Sequence, residues 1–235
     1  MKIAIVGSSG FVGSALAIAV ESNDKYQLIR VVRGNDIVRK LKSADVVIHS
    51  ANPAGRFQAE SDPGRDFRGT VEKTAKILMA SQSKRFVLIS SISCRTQMNI
   101  AYGRHRRACE LMALMQNAVV VRLGPMYGGN RTCDTLHDII ADRPVYVAPE
   151  SQYAYVDVEW AAQQILTYIE KKSQIFEIGA GNVISLAEIR DHFSSSSEFK
   201  GFDDTQIPQG YIDGPDARLV LDYAQKDLDR IERLK

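Results

Sequence analysis

Cysteines, long apolar runs and an excess of charge of one sign are all scarce in this sequence. The three cysteines among 235 residues, Cys94, Cys109 and Cys133, are dispersed and form no C-x-x-C pair, so they predict neither a disulfide framework nor a zinc site. No apolar run approaches the ~20 residues that span a bilayer, and glycines interrupt the N-terminal apolar residues, unlike in a secretion signal. The net charge of +2 is too small to favour a nucleic acid as the main partner. We therefore expect a cytoplasmic protein without a metal, membrane or nucleic-acid partner.

The N-terminal segment contains three glycines spaced three residues apart. Gly7, Gly10 and Gly13 follow the apolar residues 3–6 and lead into the apolar residues 15–20, a pattern that predicts a strand, a tight turn and a helix. In this context the glycines permit the turn, the approach of a pyrophosphate and close packing of the helix, whose N–H groups face the phosphates. Glycines also serve ordinary turns, but the position directly after an apolar strand favours dinucleotide binding.

The end of the second predicted strand, residues 26–33, bears on the choice of dinucleotide. An NAD enzyme usually has Asp or Glu there to bind the ribose 2′-OH, whereas an NADP enzyme has Arg near the 2′-phosphate. This strand ends in Arg33, and no acid occurs before Asp36. An arginine at a strand end is also commonly just solvated. The missing carboxylate is a second observation that, like Arg33, favours NADP(H). The sequence favours NADP(H), with NAD(H) as the alternative.

The glycine spacing and several later segments resemble the extended short-chain dehydrogenase/reductase family, which comprises nucleotide-sugar epimerases, dehydratases and reductases. The similar segments are residues 45–52, 85–91, 118–128 and 185–188. The resemblance implies an α/β fold: a Rossmann-type doubly wound parallel sheet with a small, abbreviated C-terminal substrate lobe. We expect one domain over 1–235, with a core at about 1–178 and substrate-side segments at about 125–150 and 179–235. Because the span between the second and third strands is short, one strand of the sheet is expected to be shortened or absent.

His49, at the end of the third strand, is better explained as a hydrogen-bonded core histidine than as a catalyst.

The same resemblance implies a set of cofactor-binding residues. The implied cofactor-binding residues are Gly7, Ser9, Gly10, Phe11, Val12, Gly13, Arg33, Ser50, Ala51, Asn52, Tyr102, Arg106 and Leu123.

Three residues are implied to be catalytic. Ser91 would orient the reacting oxygen, Tyr102 would be the acid/base, and Arg106 stands where the family has lysine in Y-x-x-x-K. On a helix, residues four apart meet on one face, and a cation beside a phenol favours the phenolate. Arg106 supplies that charge but cannot release a proton as lysine can. The alternative is that residues 104–107 form a solvated basic turn.

Other segments depart from the family or carry weaker predictions. The helix predicted from residue 70 to residue 80 has Thr70 and Lys73 where the family has Asn and Gly. Residues 53–69 are rich in Pro, Gly and charge and predict a loop. Near the C-terminal end, we expect a capping box at residues 185–188, a short strand at 219–222 and a helix at 223–234. A further short strand is expected at 144–147.

We expect an NAD(P)-dependent oxidoreductase or epimerase that acts on a hydroxyl or carbonyl of a sugar, with nucleotide-linked sugars favoured. The alternative is an NADP(H)-sensing binding protein without turnover, because the lysine is lost and the loop between Ser91 and Tyr102 is short. The resemblance also implies a homodimer formed through helices at 70–82 and 102–115.

Overall fold

Six strands form the central sheet, in the order β2-β1-β3-β4-β5-β9. The computed structural model describes residues 1–210 and 213–232. The neighbouring pairs from β2 to β5 are parallel. This is the doubly wound Rossmann order without the strand outside β2, so the expectation of a missing strand is confirmed. The strands are β1 Lys2–Val6, β2 Gln27–Val31, β3 Val46–His49, β4 Arg85–Ser91, β5 Val119–Leu123 and β9 Ile175–Ile178.

Helices cover the sheet, which explains why its strands are almost continuously apolar. Buried side chains of α5 and α7, such as Ile77 and Ala113, pack against strand residues Ala4, Val47 and Val120 in one core. The helices on either side of these strands are α1 Phe11–Glu21, α2 Ile37–Leu41, α5 Lys73–Ala80, α6 Ser93–Thr96, α7 Ala101–Leu114 and α9 Val158–Tyr168.

The segment predicted as a loop at 53–69 is largely helical. It forms α3 Arg56–Ser61 and α4 Pro63–Phe67, and a π-helical turn, Arg68–Glu72, joins α4 to α5. The prediction was wrong because Pro63 stands at the start of α4, where the missing N–H costs nothing. The Asp62 side chain caps that helix by accepting from the N–H of Arg65 at 2.9 Å.

The chain divides into two compact units, Met1–Leu123 with Glu159–Glu177, and Gly124–Val158 with Ile178–Lys235. In the second unit two small strand pairs form: β6 Met126–Tyr127 with β8 Val156–Asp157, and β7 Gln152–Tyr153 with β10 Ile184–Ser185. Its helices are α8 Thr135–Ile140, α10 Leu186–His192 and α11 Leu219–Glu232.

Four predictions for the second half of the chain have different outcomes. The capping box of Ser185 and Glu188 is present at the start of α10. The strand predicted at 144–147 is reduced to one bridge between Val145 and Phe199. The strand predicted at 219–222 is wrong, because those residues form the first turn of α11, with Val220 and Ala224 buried one helical turn apart. Residues 233 and 234 of the predicted terminal helix lie outside the described residues.

No described helix combines the length and the apolar character that a membrane span requires. The three cysteines are free thiols; Cys94 and Cys109 are buried and Cys133 is exposed. Among residues 1–210 and 213–232, no cluster of His, Cys, Asp and Glu could hold a metal ion.

Candidate cofactor and catalytic site

The glycine loop between β1 and α1 is too tightly packed for side chains. Gly7 has a φ of +90°, and its N–H donates to the carbonyl of Val31 at 2.8 Å. A Cβ on Gly7 would lie 2.8 Å from the Cα of Ala51, and one on Gly13 would overlap the carbonyl oxygen of Gly7. The loop therefore packs closely against the end of β3. Its glycines also leave the backbone open to the close approach of a ligand.

Helix α1 begins directly after this loop with an uncapped N-terminus. Gly10 is its N-cap, no side chain caps the helix, and no acid lies in its first turn. Ser9 and Gly10 are exposed, while Phe11 and Val12 are half-buried. The positive end of the helix dipole is thus not neutralised by the chain itself, which suits an anion such as a phosphate.

Buried polar atoms without partners lie at the carboxyl ends of the strands. Among the described residues, such atoms include the Ser8 hydroxyl and both side-chain polar atoms of Asn52, and the Nε of Arg106 on α7 is a further one. Ser8 follows β1 and Asn52 lies shortly after β3. Buried polar groups are nearly always hydrogen-bonded, so such atoms indicate a polar ligand. Together with the glycine loop, they fit a dinucleotide.

His49, the last residue of β3, is a neutral core histidine. The Ala51 N–H donates to its Nδ1 at 3.3 Å, and its Nε2 lies 2.9 Å from the Thr74 hydroxyl. Because a backbone N–H can only donate, Nδ1 is the acceptor and Nε2 carries the proton. Burial, with help from the positive charges of Lys73 and Arg106, lowers the pKa of His49 to about 3. This agrees with the expected core role.

Tyr102 and Arg106 meet on one face of α7, as their spacing predicts. The Arg106 Nη2 donates to the Tyr102 hydroxyl at 3.3 Å, and the guanidinium carbon lies 4.7 Å from the ring centroid. Arg106 also donates to the carbonyl of Pro53. Both side chains are buried, which rules out the solvated basic turn for Arg106. Arg104, two residues earlier on α7, is exposed.

The start of α7 is fixed by close packing and by a hydrogen bond to a carboxylate that is distant in sequence. A Cβ on Gly103 would overlap the carbonyl oxygen of Gln97, so only glycine allows the helix to pack on the short preceding loop. Glu60 of α3 accepts from the N–H of Ala101, the first residue of α7. These contacts hold Tyr102 in place, and the sequence pattern indicated neither.

Three further predicted residues lie at a strand end or directly after one. Ser91 is half-buried at the end of β4, and its oxygen accepts from the Ser93 N–H at 3.2 Å, which leaves its hydrogen for another acceptor. Leu123 is buried at the end of β5, and its carbonyl accepts from the Ile92 N–H at 3.1 Å. Ser50, after β3, donates to the carbonyl of Val6.

Two cations lie on the β2 and β3 side of the candidate site. Arg33 follows β2, is exposed and has no ion pair with any described residue. Lys73, on α5, donates from its ammonium group to the carbonyl of Ala51 at 3.0 Å. Sequence reasoning noted Lys73 only as a departure from glycine, and that departure was the available signal.

A buried charge network beneath the site was also missed. Glu110 of α7 is fully buried and accepts two hydrogen bonds from Arg122 of β5, at 2.8 and 2.7 Å, and one from Ser90 of β4, at 2.7 Å. Burial raises the pKa of Glu110, but the hydrogen bonds outweigh that effect and hold it below its usual value. Arg122 also pairs with Glu177 at 3.0 Å. The network fixes α7, and with it Tyr102, to the sheet.

Residues 3–179 match the model of the NAD dependent epimerase/dehydratase family. No curated protein sequence matches the chain. Similar solved structures include MoeE5 in complex with UDP-glucose and NAD, with a TM-score of 0.78 and 18% identity over 94% of this chain and 92% of that one. The UDP-glucuronic acid 4-epimerase of Bacillus cereus, in complex with UDP-glucuronic acid and NAD, has a TM-score of 0.76 and 18% identity over 100% of both chains.

The UDP-N-acetylglucosamine 4-epimerase of Methanobrevibacter ruminantium M1, in complex with UDP-N-acetylmuramic acid, has a TM-score of 0.75 and 14% identity. The match covers 100% of this chain and 99% of that one. At these identities the likeness establishes the shared fold.

Proposed function

The chain belongs to the NAD dependent epimerase/dehydratase family, and on that premise we propose that it binds NAD(P) and acts as an epimerase or oxidoreductase on a nucleotide-linked sugar. The observation that carries this proposal is the buried Tyr102–Arg106 pair, whose Arg106 Nε lacks a partner among the described residues. The known structures of similar fold with UDP-sugars and NAD support the same class of ligands.

In this proposal a bound NAD(P) would supply the hydride acceptor and donor for the sugar carbon. Tyr102 takes the proton of the sugar hydroxyl and later returns one. Arg106 stabilises the phenolate through its charge and its 3.3 Å hydrogen bond but holds its own protons throughout. The free hydrogen of Ser91 donates to the reacting oxygen. We propose that the chain is a single domain in which residues 125–150 and 179–235 bind the substrate.

We propose that the glycine loop and the ends of the neighbouring strands hold the cofactor. Gly10 and the uncapped start of α1 would bind the phosphates, and Asn52 would use its unpartnered amide on the cofactor or the sugar. The complete set is Gly7, Ser9, Gly10, Phe11, Val12, Gly13, Arg33, Ser50, Ala51, Asn52, Tyr102, Arg106 and Leu123.

Arg33 supports a preference for NADP(H) over NAD(H). It is exposed just after β2 without an ion pair in the described part of the chain, and no acid precedes it on the strand. A hydrogen bond from arginine to a 2′-phosphate is worth about 1.5–3 kcal/mol, or roughly one to two decades in affinity. Titrating wild type and Arg33→Ala with NAD⁺ and NADP⁺ tests the preference. The same ratio of the two affinities in both proteins would remove Arg33 from the cofactor site.

Turnover through Tyr102 is tested with Tyr102→Phe and a matched control. Loss of the hydroxyl should slow turnover of a nucleotide sugar by about 10²–10⁴-fold and leave cofactor affinity near wild type. Tyr168→Phe is the control, because that ring stacks on Phe176 at 4.0 Å and should keep the stack without its hydroxyl. Equal rates for wild type and Tyr102→Phe would refute the catalytic assignment.

Arg106→Lys separates the enzyme from the NADP(H)-sensing protein without turnover. An enzyme adapted to arginine should lose rate with lysine, because the shorter side chain gives up the contact with the carbonyl of Pro53. Cofactor binding with no turnover in wild type, and turnover gained with lysine, would favour the sensor.

We also propose a homodimer formed through α5 and α7. Met79 of α5, Leu111 of α7 and Met115 at the C-cap of α7 are 60%, 50% and 87% exposed, so both helices present large apolar side chains that a second copy would cover. Sedimentation equilibrium of wild type and Leu111→Glu should show a dimer that the charged variant dissociates. A wild-type monomer at high concentration would contradict this arrangement.

A further inference from the structure

Lys73 is anchored beside the glycine loop. Its ammonium group donates to the carbonyl of Ala51 at 3.0 Å, and a Cβ on Gly7 would lie 2.8 Å from the Cα of the same Ala51. Lys73 and the glycine loop therefore approach the same residue at the end of β3. The side chain is half-buried, so its stem packs against neighbouring residues.

The charge of Lys73 is not compensated by the chain. Lys73, Arg33 and Arg106 form no ion pair with any residue in the ranges 1–210 and 213–232. Burial and then the positive charges of Arg33 and Arg106 lower the pKa of Lys73. Lys73 therefore lies within the field of both arginines. Partly buried positive charge is unfavourable without a counterion, so an anionic ligand would stabilise this arrangement.

The two arginines mark opposite ends of the candidate site. Arg33 follows β2, where the adenosine ribose lies in dinucleotide-binding sheets. Arg106 contacts Tyr102, which belongs to the chemical end of the site in the proposed function. Lys73 contacts Ala51, which packs on Gly7, so its ammonium group lies beside the loop that would hold the phosphates in the proposed function.

We propose that Lys73 binds the diphosphate of the cofactor, as a cation added to the glycine loop and the helix N-terminus. This inference rests on the proposed function. The diphosphate is the anionic group that NAD and NADP share, so Lys73 contributes to affinity for both dinucleotides, whereas Arg33 discriminates between them. To reach the diphosphate, the ammonium group uses its remaining two protons and keeps the bond to Ala51.

Titration calorimetry with NAD⁺, NADP⁺ and ADP-ribose tests this assignment. Lys73→Met should weaken binding of all three ligands by a similar factor of about ten to a hundred. Lys73→Arg, which restores the charge, should recover part of the affinity. Lys76→Met is the matched control on the same helix, since Lys76 is exposed and pairs with Glu72 at 2.6 Å, and it should bind as wild type does.

The outcomes separate this inference from the proposed function. Unchanged affinity of Lys73→Met for NAD⁺, or a loss confined to NADP⁺, would overturn the diphosphate contact while leaving dinucleotide binding intact. Gly10→Asp, which places a carboxylate in the phosphate site, should abolish binding of all three ligands. Wild-type protein that binds no dinucleotide, or Gly10→Asp that binds normally, would overturn the proposed site and the role of Lys73 with it. If Lys73→Met unfolds at lower temperature, Lys73→Gln replaces it in the same titrations.

Discussion

Acid should destabilise the fold through His49. The side chain is fully buried, and burial together with the charges of Lys73 and Arg106 lowers its pKa from 6.5 to about 3. Below pH 6.5 His49 is protonated in the unfolded chain but stays neutral in the folded chain until the pH approaches 3. This contribution to stability is therefore complete above pH 6.5 and is lost as the pH falls towards 3. At pH 5 the loss from this residue amounts to about 2 kcal/mol.

Urea unfolding of wild type and His49→Gln between pH 7.5 and pH 5 measures this loss. Gln removes the titrating ring but keeps a donor and an acceptor, so the fall in the free energy of unfolding should be about 2 kcal/mol smaller in the variant. Lys73→Met should show nearly the same fall as wild type, because burial, which lowers the pKa of His49 most, remains in that variant. The same fall in wild type and His49→Gln would refute the reasoning, since His49 would then be protonated in the folded chain.

Two further substitutions test how α7 is held. Glu110→Gln leaves Arg122 buried without its main partner and should cost about 3 kcal/mol in unfolding free energy. Glu72→Gln, in an exposed pair, should cost far less. Equal costs for the two would contradict the structural role of the network. Gly103→Ala should lower both the melting temperature and turnover, because its methyl group overlaps a carbonyl oxygen of the preceding loop; Gly64→Ala, whose methyl group would find its nearest atom at 3.5 Å, should be tolerated.

The sheet could be predicted from the sequence because both faces of its strands are buried. Apolar runs such as residues 3–6 and 46–48 have no other stable position in a chain of this size, and the short span after β2 indicated the missing strand. The errors occurred where a local pattern fits two structures. Pro63 and Gly64 mark a loop equally well as the first turn of a helix, and the run at 219–222 is too short to show a helical period.

The candidate site divides in the same way. The glycine loop and the Tyr102–Arg106 spacing are local features, so a few consecutive residues suffice to predict their geometry. The partners of Glu110 could not be predicted, because Ser90 and Arg122 meet it only after two strands and a helix have packed. The same holds for Lys73, whose contact with Ala51 spans 22 positions of the chain.

The segment after β3 connects the stability argument to the binding argument. Lys73 donates to the carbonyl of Ala51 and Arg106 donates to the carbonyl of Pro53, so two cations from different helices hold the backbone on either side of Asn52. The Asn52 amide, which has no partner among the described residues, is thereby kept at the strand end beside both charges. Burial opposes protonation of His49 most, and the same two cations add to that effect. A dinucleotide diphosphate would offset this positive field, so ligand affinity and part of the acid sensitivity of the fold depend on the same charges.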